Sequence, residues 1–286
     1  MFGPDFYPTP RTIAKKMLAK ISQDAVHFLE PSAGKGDLAK AIFHEGQYRN
    51  PWGQGSRNRV DVIEAHPDLV EILRAHDGLS IVGYDWLTYS GVSYYDAIVM
   101  NPPFSVMANV EGRMADAAYR HVASALARLA PGGRLVAITG ASFAPDNPAW
   151  RDAFVRLQAR GRVVFSAVID GSVYAKHGTT IETRLTVIDK RPADDPAAFP
   201  AAPGVAPDVA TMLDWLDQHL PERLVVDPSV MIPITPAAAP RSVRGYINRA
   251  AKVAPATAPM AEPEGLPLAY ETLDGPTGAE LCKNPG

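Results

Sequence analysis

The chain predicts an α/β fold with a doubly wound, mostly parallel sheet, and three observations lead to this prediction. Short apolar runs alternate with amphipathic segments up to residue 191, polar residues directly follow several of these runs, and proline becomes frequent afterwards. Strands that alternate with helices are typical of parallel sheets, because a parallel connection needs a crossover. The sequence therefore predicts an α/β domain over 1–191 and a Pro/Ala-rich extension over 192–286.

Seven strands and five helices are predicted in the first part from apolar runs and from apolar residues at helical spacing. The strands are His27–Glu30, Val60–Glu64, Leu79–Val82, Asp96–Met100, Arg134–Thr139, Val163–Ile169 and Thr183–Asp189. The helices are Thr12–Ser22, Leu38–Glu45, Asp68–His76, Ala115–Leu129 and Trp150–Arg160. Only a loop separates the last two strands, so we expect them to pair antiparallel.

The extension differs in composition from the part before it. From residue 193 onward it holds 15 of the 27 prolines, and acidic residues outnumber basic ones 12 to 6. One helix is predicted at Asp208–Leu220, because Met212, Leu213 and Leu216 fall on one face of it. Residues 233–265 indicate a linker, since this composition cannot build a core of its own.

Overall composition excludes several classes of protein. The net charge of −3 gives no global basic footprint, although a local patch can still bind nucleic acid. The single Cys282 excludes an internal disulfide framework and a multi-cysteine metal site, so no metal is expected. Neither a secretory signal nor a membrane-spanning run is evident, and we expect a cytosolic or nucleoid-associated protein.

Residues suited to binding a nucleotide-like ligand follow the first three strands. The turn Ser32–Gly36 offers glycines that let a ligand approach the backbone, although it matches neither a P-loop nor the dinucleotide fingerprint. Glu64 can accept hydrogen bonds from a ribose diol, and Asp85, beside Trp86, can accept one from an adenine amine. Each could instead be a turn former or neighbour a helix cap. Ligands of such sheets bind at the carboxyl ends of the strands, so the shared position favours one binding site.

A stiff corner follows the fourth strand at Asn101-Pro102-Pro103-Phe104. Two prolines cannot continue a helix or a central strand, and the first of them holds Asn101 extended. The Asn101 side chain and a backbone carbonyl can accept the two hydrogens of an exocyclic amine, while Phe104 stacks on the ring that carries it. Asn-Pro is also a common turn, and Phe104 could lie in the core.

This order of motifs resembles the class I S-adenosylmethionine-dependent methyltransferases, specifically the N6-adenine DNA methyltransferases, whose fold is Rossmann-like. Their catalytic motif Asn/Asp/Ser-Pro-Pro-aromatic is matched by Asn101–Phe104, and their first cofactor motif resembles Glu30–Gly36. An upstream Thr-Pro segment resembles Phe6–Pro10, which gives the γ-type motif order. The cofactor residues implied are Tyr7, Thr9, Pro10, Glu30, Ser32, Gly34, Gly36, Asp37, Glu64, Asp85, Trp86 and Asn101. The catalytic residues implied are Asn101, Pro102, Pro103 and Phe104.

The resemblance also implies a base-binding region and a partner. This group places an aromatic residue that stacks on the extruded base near its last hairpin, and Tyr174 is similar in position, with Lys176 and His177 beside it. The large recognition domain of the γ-type enzymes has no counterpart in the acidic extension. The segments His177–Arg184 and Leu268–Asp274 resemble the methylase part of phage and plasmid proteins joined to a Strawberry-notch-like helicase. We therefore expect a bacterial or phage-encoded module for which a helicase, a recognition domain or another subunit supplies most of the contacts to DNA.

The acceptor stays open at this point, with three alternatives. The first is adenine in DNA, as a flipped or single-stranded base. The second is RNA or a protein glutamine, because a glutamine side chain presents a similar amide nitrogen and related enzymes use Asn-Pro-Pro-Tyr for it. The third is a module that binds without turnover. Intact Asn101–Phe104 and glycine turns favour an enzyme.

Overall fold

The computed structural model describes residues 25–48, 56, 58–91, 94–102, 114–177 and 180–223. Eight strands are found in these residues: β1 (His27–Glu30), β2 (Arg59–Ile63), β3 (Leu79–Gly83), β4 (Tyr95–Met100), β5 (Leu129–Gly140), β6 (Arg162–Ile169), β7 (Thr183–Asp189) and β8 (Val205–Ala206). The helices are α1 (Asp37–Tyr48), α2 (Pro67–Arg74), α3 (Met114–Arg128), α4 (Arg151–Gln158) and α5 (Val209–His219), and a 3-10 helix spans Gly171–His177. The predicted helix Thr12–Ser22 and linker 233–265 lie outside the described residues.

All eight strands form one sheet in the order β3-β2-β1-β4-β5-β7-β6-β8. The first five strands in this order are parallel to one another, β7 runs antiparallel to both β5 and β6, and β8 is parallel to β6. The predicted α/β fold and the antiparallel pairing of the last two predicted strands are therefore confirmed. The chain order reverses between β1 and β4, and in open α/β sheets this switch point opens the crevice where ligands bind.

The predicted number of seven strands is wrong, because β8 adds an eighth. It pairs parallel with β6 through Val168 and Ile169, and it consists of Val205 and Ala206 alone. Two residues between prolines give no periodic signal, so the sequence pattern does not mark them as a strand. The predicted boundary at 191/192 therefore falls between β7 and β8 of one sheet.

Helices cover both faces of the sheet and bury its alternate side chains. On one face, Leu38 and Ile42 of α1 and Met212 of α5 pack on strand residues. On the other, Leu126 of α3 and Phe154 of α4 do the same. Strands that are buried on both faces read as nearly continuous apolar runs, as the predicted strands do.

The chain after β8 is fastened to the sheet. Asp208 caps α5 by accepting a hydrogen bond from Thr211 N at 2.8 Å. Arg134, fully buried on β5, makes an ion pair with Asp189 at 2.7 Å and donates to Pro221 O at 2.9 Å. Residues 192–223 thus share the core of the preceding strands and helices.

Candidate active site

The carboxyl ends of the first four strands form one edge of the sheet. Strand pairing places Glu30 of β1 opposite Val62 of β2 and Leu29 opposite Ile98 of β4. In the next pair, Ile63 of β2 lies opposite Gly83 of β3. The residues that follow these strands therefore share this edge, which is where the sequence predicts a ligand site.

The turn after β1 requires glycine at two positions. Gly34 and Gly36 have φ values of 56° and 78°, in the left-handed region that other residues seldom adopt. A Cβ at Gly36 would lie 2.6 Å from Leu73 Cδ2 of α2, so a side chain at this position would also require Leu73 to move. The turn closes through Gly36 N, which donates to Ala33 O at 2.7 Å, and it leads directly into α1.

Glu64, directly after β2, joins two loops of this edge. One carboxylate oxygen accepts a hydrogen bond from Gly34 N at 2.7 Å, and the other accepts one from His66 N at 2.7 Å. A carboxylate has about four acceptor positions, so Glu64 keeps acceptor capacity for a further donor such as a ribose hydroxyl. The predicted residues Gly34 and Glu64 are therefore in direct contact.

Glu30, the last residue of β1, is buried at the start of α1. It is 3% exposed, and its carboxylate accepts a hydrogen bond from Ala39 N at 2.7 Å, one of the N–H groups without a partner inside the helix. Burial is the largest influence and raises the pKa of Glu30 well above its usual range. Two further residues predicted to bind the cofactor, Ser32 in the turn and Asp37 at the start of α1, are both partly exposed.

Asp85 and Trp86, after β3, point to different environments. Asp85 is exposed and accepts a hydrogen bond from Leu87 N at 3.0 Å. Trp86 is buried in the core, where its indole donates to His121 O of α3 at 3.3 Å and Arg128 lies 5.2 Å from its ring centre. Asp85 thus remains accessible to a ligand, whereas Trp86 supports the helix beneath it.

Asn101 and Pro102 follow β4 directly at this edge. Met100, opposite Ala137 of β5, is fully buried, whereas Asn101 is partly exposed with a buried side-chain oxygen. Pro102 is buried. Because β4 is the neighbour of β1, this corner begins beside the strand that carries the glycine turn. Pro103 and Phe104 lie outside the described residues.

Tyr174 lies in the 3-10 helix between β6 and β7. It is 2% exposed, its hydroxyl accepts a hydrogen bond from Thr183 at 3.1 Å, and burial raises its pKa. A ring in this position packs in the core and has no face open to a base. The burial therefore favours a structural role for Tyr174. The side chains of Lys176 and His177, and all of Tyr7, Thr9 and Pro10, lie outside the described part of the chain.

A buried polar cluster that the sequence analysis missed lies at the opposite, amino edge of the sheet. Asp61 of β2, 1% exposed, accepts hydrogen bonds from Tyr95 at 3.1 Å and Arg59 at 3.3 Å, and its carboxylate lies 3.0 Å from His27 Nε2. Burial alone would raise the pKa of Asp61, but His27, Arg59 and Tyr95 together lower it. The sequence signal that could have revealed this cluster is the carboxylate of Asp61, which lies between two apolar residues of β2.

In the described ranges, no group of three or more His, Cys, Asp or Glu side chains is arranged to hold a metal ion. Among the same residues, no helix has the length and apolar character needed to span a bilayer.

No protein-family model matches the chain, and no curated protein matches it. Solved structures do. A Listeria monocytogenes protein described as a class I S-adenosylmethionine-dependent methyltransferase matches with a TM-score of 0.57 at 14% identity, over 76% of this chain and 72% of that one.

Two modification proteins of restriction systems are also similar. A protein described as a modification subunit of a type I restriction enzyme from Vibrio vulnificus matches with a TM-score of 0.55 at 16% identity, over 76% of this chain and 54% of that one. The M protein of the type I restriction enzyme EcoKI matches with a TM-score of 0.53 at 14% identity, over 66% of this chain and 45% of that one. The chain thus spans about half the length of these two proteins. At such identities the similarity concerns the fold: this chain has the Rossmann-like fold of class I S-adenosylmethionine-dependent methyltransferases.

Proposed function

We propose that the chain transfers a methyl group from S-adenosylmethionine to the N6 amine of adenine in DNA. One observation carries the proposal: the Asn101-Pro102 corner directly follows β4, next in the sheet to the strand that leads into the glycine turn. A fold alone does not define a function, so the residues at the carboxyl ends of the first four strands decide which chemistry is proposed.

The residues of this edge fit the proposed cofactor. Gly34 and Gly36 keep side chains away from the turn, and α1 presents backbone N–H groups beside it. Glu64 would accept hydrogen bonds from the ribose, and Asp85 would accept one from the adenine amine of the cofactor. When bound, the cofactor supplies an electrophilic methyl group, so no covalent catalyst is needed.

The corner after β4 supplies what the acceptor needs. The lone pair of the adenine amine is delocalised into the ring, which makes it a poor nucleophile. The side-chain oxygen of Asn101 and the carbonyl of Pro102 would accept its two hydrogens and orient the lone pair towards the methyl group, and Phe104 would stack on the base. Orientation of two reactants about 3–3.5 Å apart can supply several kcal/mol of catalysis. A base in a duplex must first be flipped out, which costs a few kcal/mol.

The proposal includes a partner that supplies recognition of the DNA sequence. The chain is slightly acidic overall, whereas non-specific affinity for DNA depends mainly on neutralised phosphates. The matched part covers only about half of each similar restriction-system protein, and the one from Vibrio vulnificus is a modification subunit of a larger enzyme. A helicase, a recognition domain or a second subunit would provide the missing contacts.

The test is mass spectrometry of nucleosides from host DNA with and without the expressed chain. We expect N6-methyladenine with the wild type and none with Asn101→Ala, whose cofactor affinity should remain close to normal because the amide contacts the acceptor. Asn101→Ser is the matched control, since it keeps an oxygen acceptor and should retain partial activity. Methyl transfer by Asn101→Ala at the wild-type rate would contradict the role of Asn101. Methylated ribonucleosides or methylglutamine in place of N6-methyladenine would identify a different acceptor.

A further inference from the structure

The surroundings of Glu30 set this residue apart from the other residues proposed to bind the cofactor. This carboxyl group is buried between the end of β1 and the first turn of α1, and Ala39 N donates to it at 2.7 Å. Glu30 directly precedes the glycine turn beside which the proposed cofactor would bind, and none of the ion pairs found among the described residues involves it. A buried carboxyl without a paired cation is favoured in its neutral form.

The charged groups that face Glu30 come from two elements. Helix α1 contributes Asp37 and Lys40, and the residue after β2 contributes Glu64. The ammonium of Lys40 is engaged by Lys35 O at 2.8 Å on the other side of the turn. Burial and the two carboxylates together outweigh the hydrogen bond from Ala39 and the charge of Lys40, so the pKa of Glu30 is raised. In the ligand-free protein, Glu30 therefore keeps its proton to a higher pH than an ordinary glutamate.

We propose that binding of S-adenosylmethionine at this edge is coupled to the loss of one proton from Glu30. The inference rests on the proposed function, because it takes this cofactor as the ligand. The cofactor carries an ammonium and a sulfonium against one carboxylate, which makes it a net cation. A cation bound at this edge near Asp37 and Glu64, whose charges act on Glu30, favours the ionised form of Glu30, and ionised Glu30 in return strengthens binding of the cation through its charge.

The sign of the pH dependence follows from linkage. Protons released on binding make affinity rise with pH, by up to about tenfold per pH unit while Glu30 is protonated in the free protein and ionised in the complex. The window begins above the usual glutamate pKa of about 4.3 and is best studied below about pH 7.7, where an α-amino group begins to lose its own proton. Within this window, a variant with a neutral residue at position 30 should bind with an affinity that does not change with pH.

The experiment is titration calorimetry of the full chain with S-adenosylmethionine in buffers of different ionisation enthalpy. We expect the wild type to release up to one proton per bound ligand and Glu30→Gln, which keeps an oxygen for Ala39 N, to release none. Glu71→Gln, on the exposed surface of α2, is the matched control and should behave as the wild type. Adenosine, which has no net charge, should release no proton from any of the three proteins.

The outcomes separate this inference from the proposed function. A wild type that does not bind the cofactor contradicts the proposed function itself. Binding without proton release, equal release by Glu30→Gln, or equal release with adenosine each overturns the coupling and leaves the function standing. If Glu30→Gln does not fold, infrared difference spectra of the wild type decide the matter. Cofactor binding should remove the band of a protonated carboxyl group, and an unchanged band overturns the proposal.

Discussion

Glu64 is the residue on which the proposed cofactor site depends most at the level of single side chains. It holds the loop after β1 to the loop after β2, and it is the carboxylate best placed to meet a ribose. We expect Glu64→Ala to weaken binding of S-adenosylmethionine by about 1–3 kcal/mol, because hydrogen-bonding groups are left unmatched. Calorimetry measures this loss, with Glu71→Ala as a control on an exposed helix surface. Unchanged affinity in Glu64→Ala would remove this residue from the site.

Asp61 provides a pH-dependent contribution to stability. Its pKa is lowered in the folded protein, so its stabilising effect is present above the unfolded pKa of about 3.9 and is lost as the pH falls through the lower folded value. Asp61→Asn should lower the free energy of unfolding by about 1–3 kcal/mol at neutral pH. The difference from the wild type should shrink in strong acid. Denaturant unfolding at pH 7 and pH 3 measures it, and a difference that grows in acid would contradict the argument.

Several residue environments were beyond what the sequence pattern reveals. The pattern places Gly34, Glu64 and Asp85 at strand ends correctly, because strand ends depend on local sequence. It does not reveal which way a side chain turns after the strand, and Trp86 and Tyr174 both turn into the core. Aromatic residues serve cores and ligand sites equally well, so only the surrounding structure distinguishes the two uses.

At the level of elements, the turn between β1 and α1 is the part least tolerant of change. Gly36→Ala introduces a Cβ at a φ of 78° and 2.6 Å from Leu73 Cδ2. We expect a loss of about 1–3 kcal/mol of stability from left-handed backbone strain and overpacking against α2. Thermal unfolding measures it. Gly140→Ala is the matched control, since its Cβ would meet nothing within 4 Å, and an equal loss there would show that the turn is not special.

The elements themselves were predicted well where their periodicity is long. β1 and β7 have the predicted bounds, and most other strands and helices of the described chain differ from prediction by a few residues at an end. β5 is the larger exception: it begins at Leu129, whereas the sequence predicts a strand that begins at Arg134. Here long-range pairing decides, because Gly132 N donates to Lys190 O and Lys190 N donates to Gly133 O. Such partners are not visible in the local sequence.

At the level of the whole molecule, we expect the part of the chain that follows β7 to be required for folding. α5 buries Met212 and Leu216 against the sheet, and burial of each such side chain contributes about 1.5–3 kcal/mol. A chain shortened after Pro207 should therefore lose cooperative unfolding. A chain shortened after Arg223 keeps every contact described above and should bind S-adenosylmethionine as the full chain does. Thermal unfolding and calorimetry of both forms test these two expectations. A well-folded chain that ends at Pro207 would contradict the requirement for α5.

The position of Arg223 also determines how the protein can be attached to a surface for binding measurements. Its guanidinium donates to Asp96 O, near the start of β4, and to Gly132 O, ahead of the parallel part of β5. Both groups lie at the amino edge of the sheet, and Asn101 lies at the other edge, five residues after Asp96 and therefore roughly 17 Å away along β4. A form that ends at Arg223 and is immobilised on a sensor through that end would turn the edge that carries Asn101 towards the solution, where the proposed cofactor and DNA would bind.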